Sequence, residues 1–282
     1  MTTSTLTAHQ SAIPGRIALP ATFARLLAGE WIKFRSLRAN WWILILATAF
    51  MPLFAVSRMV SIAQVPEAVG SPGMVGATFV TSGIALSQLA FAVLAVMAIT
   101  SEYGTGQIRT SLSVAPARFS AIAAKLVVVV AVVAAASIVG VALAWACSAP
   151  WFDVTGMSIS LLRAEDARLI MGVPLYVCAV AALAFGVGLI VRSSAAGISI
   201  IVGLLLVLEN LLASIPFAPV QNVAAYLPSS SGSRLLQSEA VGSVITVSDS
   251  ALLTPWGGYG VMLLWVAGVL TVAAILLRRK DA

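Results

Sequence analysis

The sequence predicts an all-α, polytopic membrane protein, with six transmembrane helices preceded by an interfacial amphipathic helix and both termini cytoplasmic. Three observations predict it. Mean hydropathy is +1.04 and only 9% of the 282 residues are charged, against about a quarter in a soluble globular chain. Apolar runs long enough to cross about 30 Å of hydrocarbon, which takes about 20 helical residues, recur at 41–57, 75–100, 121–147, 169–191, 195–215 and 256–277. The Lys and Arg residues are unevenly shared between the segments joining those runs, with 12 of the 16 on one side.

Each observation also excludes something. A β-barrel needs segments of about ten residues of alternating polarity, and the apolar runs here do not alternate. The first run begins about forty residues in and has no small-residue cleavage site close behind it, so it is expected to be a retained anchor. The inner segments hold Arg16, Arg25, Lys33, Arg35, Arg38, Arg109, Arg118, Lys125, Arg192, Arg278, Arg279 and Lys280. The outer ones hold Arg58, Arg163, Arg168 and Arg234. That asymmetry places both termini in the cytoplasm. It also accounts for most of the net charge of +6, as a contact with anionic inner-leaflet lipid. No compact basic domain exists to hold a duplex, so nucleic acid is not an expected partner.

The elements follow in chain order. Residues 1–20, rich in Ser, Thr and Ala, read as a disordered cytoplasmic tail. Over 21–40, Phe23, Leu26, Leu27, Trp31, Phe34 and Leu37 recur at helical spacing while Arg25, Lys33 and Arg35 lie off that face. This is the basic amphipathic helix at the inner interface. Glu30 breaks its apolar face, either as a surface pair with Lys33 or Arg38 or as a docking contact with a partner protein. The region 41–282 is the transmembrane domain. In its second span Thr78, Thr81, Ser82 and Gln88 fall on one side of a helix, either bonding to neighbouring helices or lining a translocation path.

The stretch SEYGTGQIRTSLSVAPARFSAIAAK, between spans two and three, is polar and lies on the cytoplasmic side. Ser101 and Glu102 read as a helix start with an acidic residue at the positive dipole end. Ile108 and Leu112 form an i, i+4 apolar pair beside Arg109, and Pro116 stops the helix. So short a helix is unstable alone and must rest on lipid or on a partner. In span five, Glu209 and Asn210 interrupt LLLVLENLLASIP. A carboxylate at helix centre costs about 3 kcal/mol to insert, so Glu209 is a candidate functional residue, the alternatives being reach to the interface or a pair with Arg163 or Arg168. The outer segment 216–255 is too polar to span, and Arg278, Arg279 and Lys280 close the last span as a stop-transfer cluster.

Several chemistries are excluded. His9 is the one histidine and lies in the tail, so His-dependent metal sites and Ser-His-Asp triads are not available. Asp153, Asp166, Asp249 and Asp281 all lie outside the apolar runs, Cys147 and Cys178 sit at different depths, and the chain holds no G-x-x-x-x-G-K-[ST] loop. The expectation is a chain without enzymatic activity, metal or cofactor of its own.

With these residues in view, the chain resembles the permease subunit of an exporter-type (type-2 class) ATP-binding cassette transporter, similar to six-helix members found in actinobacteria. EWIKFRSLRANWW resembles the family's interfacial helix entering span one. AYLPSSSGSRLL and the final WGGYGVMLLWVAGVLTVAAILLRRKDA resemble its outer segment and last span. The most specific match is the run E-Y-x-x-G-x-I-R-x-x-L; Gln107 stands where many members have Thr, leaving Glu102, Gly106 and Arg109 matching. The resemblance implies that residues 102–113 form a coupling helix resting on a separate ATPase subunit through Glu102, Tyr103, Gly106, Ile108, Arg109 and Leu112, with 21–40 as the connecting helix beside it. It implies further a second permease subunit, ATP and Mg bound on the ATPase, and a place in a bacterial plasma membrane. Thr78, Thr81, Ser82, Gln88, Glu209 and Asn210 are then candidates for the translocation path. The rival readings are a non-transporting membrane anchor or accessory subunit and a proton-coupled secondary transporter, which would carry ionisable residues on several spans and an internal repeat.

Overall fold

Alternation of short breaks with long apolar helices organises the chain. The computed structural model describes residues 22–65, 69, 74–104, 118–238 and 253–280. Helix α1 spans Phe23–Ser36 and α2 spans Arg38–Ala63. Leu37 between them is extended, at φ −88° and ψ 109°, which frees the last carbonyls of α1. Side chains take them up: the Asn40 amide donates to Phe34 O at 3.1 Å, the Trp41 indole to Arg35 O at 3.1 Å and the Ser36 hydroxyl to Lys33 O at 2.8 Å. These bonds answer the unpaired groups that any helix end leaves, and they set the corner between α1 and α2.

The second span is not one helix. A short helix α3, Gly76–Val80, and a turn at 81–83 precede α4, Ile84–Gly104. The turn is where the chain comes closest to α2: a Cβ on Gly83 would lie 2.5 Å from Met51 Cα and 2.6 Å from Phe50 O. Only glycine permits that approach. The break also separates Thr78, Thr81 and Ser82 from the helix that carries Gln88, so the four do not share one helical face as the spacing suggested.

Helix α5 covers Arg118–Thr155, 38 residues. At 1.5 Å per residue it is about 57 Å long, well beyond the hydrocarbon core. Helix α6, Ala164–Val191, starts with Glu165 and Asp166 at its positive dipole end and closes on Arg192 in the left-handed region, φ 59°. It is the most buried span, with Tyr176, Leu183 and Phe185 almost wholly enclosed. Helix α7, Ser194–Ser214, contains a π-helical turn over Gly203–Leu208 immediately before Glu209. Two short helices follow, α8 at Ala218–Ala224 and α9 at Pro228–Ser233, the latter running into a 3-10 turn at Arg234–Leu236. Helix α10, Pro255–Lys280, completes the bundle.

Among the described residues six helices are long and apolar enough to cross a membrane: α2, α4, α5, α6, α7 and α10. Helix α6 packs on α4, α5 and α10, α2 packs on α4 and α5, and α1 lies against α5. Much of α2, α7 and α10 faces outward with large apolar side chains such as Trp42, Leu53, Val207, Leu211 and Leu264. That distribution suits helices whose outer faces meet lipid or another membrane chain rather than water.

Candidate functional site

At one end of the bundle, four charged side chains from three elements meet. Glu30 projects from the inward face of α1 beside Phe34, and both are buried. Its carboxylate pairs with Lys33 at 2.7 Å and with Lys125 of α5 at 2.5 Å. Glu102, on the last turn of α4, pairs with Lys125 at 2.9 Å and with Lys33 at 3.2 Å. Two carboxylates and two ammonium groups therefore balance on the wall of a cavity of about 50 Å³, also lined by Phe34, Asn40 and Ser101. Glu30 and Glu102 are each 6% exposed and Lys125 9%. Carboxylates so placed require paired cations, because an uncompensated buried charge costs several kcal/mol.

Glu102 does not begin a new helix. Residues 101–104 continue α4, so the carboxylate sits at the negative end of that helix's dipole, where an anion is disfavoured by about 0.3–1 kcal/mol. The two ammonium groups more than offset this. Lys33 shows the balance from the other side: partial burial pulls its ammonium down, but the hydrogen bonds and charges of Glu30 and Glu102 outweigh that and hold it above its ordinary value of 10.5. The same end of α4 is tied to the turn between α6 and α7. The Arg192 guanidinium lies 5.2 Å from the centre of the Tyr103 ring, and the Thr100 and Ser194 hydroxyls are 2.7 Å apart. Gly106, Ile108, Arg109 and Leu112 lie outside the described residues.

A second polar centre lies at the other end. Glu209, 3% exposed, accepts the backbone N–H of Ser229 at 2.9 Å, that of Ser230 at 2.5 Å and the Ser230 hydroxyl at 2.7 Å. The π-helical turn inserts an extra residue before Glu209 and so rotates the carboxylate inward. It caps the first turn of α9, whose amides have no partner within the helix. Tyr176 of α6 donates to the Gln88 amide oxygen at 2.5 Å and shares a hydrogen bond of 2.8 Å with the Ser229 hydroxyl. Arg168 donates to Leu235 O at 2.7 Å and Gln237 O at 2.9 Å. The α8–α9 segment is thereby fastened to spans two, four and five around a cavity of about 190 Å³ lined by Gln88, Tyr176, Glu209, Asn210, Ser230 and Arg234 among others.

Of the residues the sequence singled out, the structure brings Glu30 and Glu102 together in the charge cluster, and Gln88, Glu209 and Asn210 together at the cavity near the opposite end. Thr78 and Thr81 bond back to Val75 O and Ala77 O, and Ser82 is buried nearby; none of the three lines that cavity. Glu209 meets the amides of α9 rather than Arg163 or Arg168. Lys125, Tyr176 and Ser229 were not singled out as site residues. For Lys125 a signal existed, a lone cation just before the run LVVVV. Tyr176 and Ser229 carry none, since their role depends on which helices adjoin.

Among the described residues no three His, Cys, Asp or Glu side chains gather as a metal site. Among curated proteins none matches the chain significantly. A family model described as ABC-2 family transporter protein matches residues 26–222, a stretch running from α1 through five spans into α8 and covering both polar centres up to Glu209. Six helices long and apolar enough to cross a membrane agree with that match. The chain belongs to the ABC-2 transporter family and is a membrane permease subunit of an ABC transporter.

Proposed function

We propose that this permease exports its substrate, driven by a separate ATPase subunit that docks from the cytoplasm on the 102–113 segment, with a second permease subunit, the same or homologous, completing the pathway. The observation that carries the reading is the inner charge cluster. It joins the connecting helix α1, the end of α4 and the start of α5 at a single point, so that a load applied to the intervening segment meets three elements at once. The chain has no phosphate-cradling loop of its own, so ATP and Mg belong to the partner. The outer cavity, with Gln88, Glu209 and Asn210 on its wall, is the far end of the path in this reading. Both termini are then cytoplasmic, in a bacterial plasma membrane.

The test is reconstitution in proteoliposomes, with and without an ABC ATPase subunit from the same organism. The purified single chain is expected to hydrolyse no ATP, and vesicles carrying both subunits are expected to hydrolyse it and move substrate. ATP hydrolysis by the single chain that survives further fractionation would contradict the reading. Capture of the ATPase without any transport would favour an accessory subunit instead.

A further inference from the structure

Lys125 stands in a place that no motif assigns. It lies in the second turn of α5, and its ammonium reaches Glu30 of α1 at 2.5 Å and Glu102 of α4 at 2.9 Å. Its side chain is 11% exposed, against 41% for Lys33, the other cation of the group. Lys125 is thus the desolvated partner of both carboxylates, while Lys33 is half in solvent. The pair with Glu102 has a further geometrical consequence. The Glu102–Lys125 pair ties the end of α4 to the second turn of α5, the two elements between which residues 105–117 lie in the sequence. Through Glu30 the same ammonium holds α1 to that junction.

We infer that Lys125 is a positioning residue for coupling: it ties the end of α4 to the start of α5 and joins both to α1, so that a displacement of α1 or of the end of α4 is delivered to that end of α5. The inference deepens the proposed docking of an ATPase and rests on it. Helix α5 suits the part, because it is long, continuous and packed on both α2 and α6, and a rigid helix carries a shift at one end along its whole length. A buried network of ion pairs also rigidifies the elements it joins. Every charged group facing Lys125 belongs to this set among the described residues: Glu30 and Lys33 on α1 and Glu102 on α4.

The experiment uses the full chain co-purified with its ATPase in lipid nanodiscs, and reads three quantities: ATPase stoichiometry, thermal stability and the rate of ATP hydrolysis relative to the ATPase alone. Three variants are needed. Lys125→Arg retains the charge and is expected to keep the wild-type rate. Lys125→Met is expected to hold its ATPase but hydrolyse at the rate of the free subunit. Because Lys125→Met leaves two carboxylates with one cation, the double variant Lys125→Met with Glu102→Gln restores neutrality, with Glu30 and Lys33 still paired. It is expected to recover wild-type stability and stoichiometry yet remain uncoupled. Wild-type hydrolysis by that double variant overturns the inference, since the cluster then serves stability alone, and so does loss of coupling in Lys125→Arg. If the wild-type chain captures no ATPase, or does not alter its hydrolysis, the docking reading itself fails and this inference falls with it.

Discussion

Glu209→Ala is expected to loosen the α8–α9 segment, and the structure allows the size of the effect to be worked out. The carboxylate accepts three hydrogen bonds, from the Ser229 and Ser230 amides and the Ser230 hydroxyl. Bonds to a charged group contribute about 1.5–3 kcal/mol each. Against them stands the roughly 3 kcal/mol needed to place a carboxylate within a span. The bonds win, leaving a net loss of about 1.5–6 kcal/mol when the side chain is removed. A chain of this size shifts its unfolding temperature by about 2–4 °C per kcal/mol, so Glu209→Ala should unfold at least roughly 3 °C below wild type in detergent. Glu209→Gln keeps an acceptor oxygen for the first turn of α9 and should fall between the two. Glu209→Asp, one methylene short of the amides, should resemble the alanine variant. A cysteine at Ser230 should react faster with a maleimide when Glu209 is replaced. Wild-type unfolding temperature in both the alanine and aspartate variants would refute the capping argument.

Three further outcomes follow from other parts of the fold. Gly83→Leu should destabilise the protein by about 1–3 kcal/mol through overpacking against α2, whereas Gly29→Ala, where a Cβ meets nothing within 4 Å, should be neutral or stabilising because alanine favours a helix by about 1 kcal/mol; unfolding temperatures of the two variants decide. With Cys147 and Cys178 replaced, a cysteine at Ser158 should label with an impermeant maleimide in intact cells and one at Ser36 only after permeabilisation, both positions being exposed; labelling of Ser36→Cys from outside would reverse the topology. Lys33 is held above its ordinary value of 10.5, so its contribution is complete below that pH and is lost as pH rises through the folded value; the stability gap between wild type and Lys33→Met should therefore be constant at neutral pH and shrink in strong alkali, and a gap that grows there would contradict the pairing.

Much of this was legible because a bilayer imposes unbroken apolar runs, and all six spans are found where those runs lie. Local breaks were less legible. The corner at Leu37 depends on Asn40 and Trp41 reaching back to carbonyls of α1, and the break at 81–83 depends on the contact of Gly83 with α2; neither is a property of its own segment. Glu30 with Lys33 could be read as an i, i+3 pair, but Lys125 could not be added without knowing that α1 lies against α5. Glu102 was read as a helix start because an acidic residue suits that position. In the structure two distant ammonium groups let it occupy a helix end instead. The reach of Glu209 was hidden for a different reason: a π-helical turn changes the direction of every side chain after it, and the apolar sequence GLLLVL gives no sign of one.

The central claim, that the segment between spans two and three is the handle for a separate motor, is tested most directly by Ile108→Asp with Leu112→Asp. If both side chains fill an apolar cleft on the ATPase, each contributes about 1–2 kcal/mol of contact, and two buried charges in their place would oppose docking outright. Co-purification from membranes measures it, with Thr110→Ala as the control. The account predicts a double variant that inserts at the wild-type level, loses its ATPase and no longer exports, while the control keeps both. A double variant that retains the ATPase at wild-type stoichiometry and still exports would contradict it.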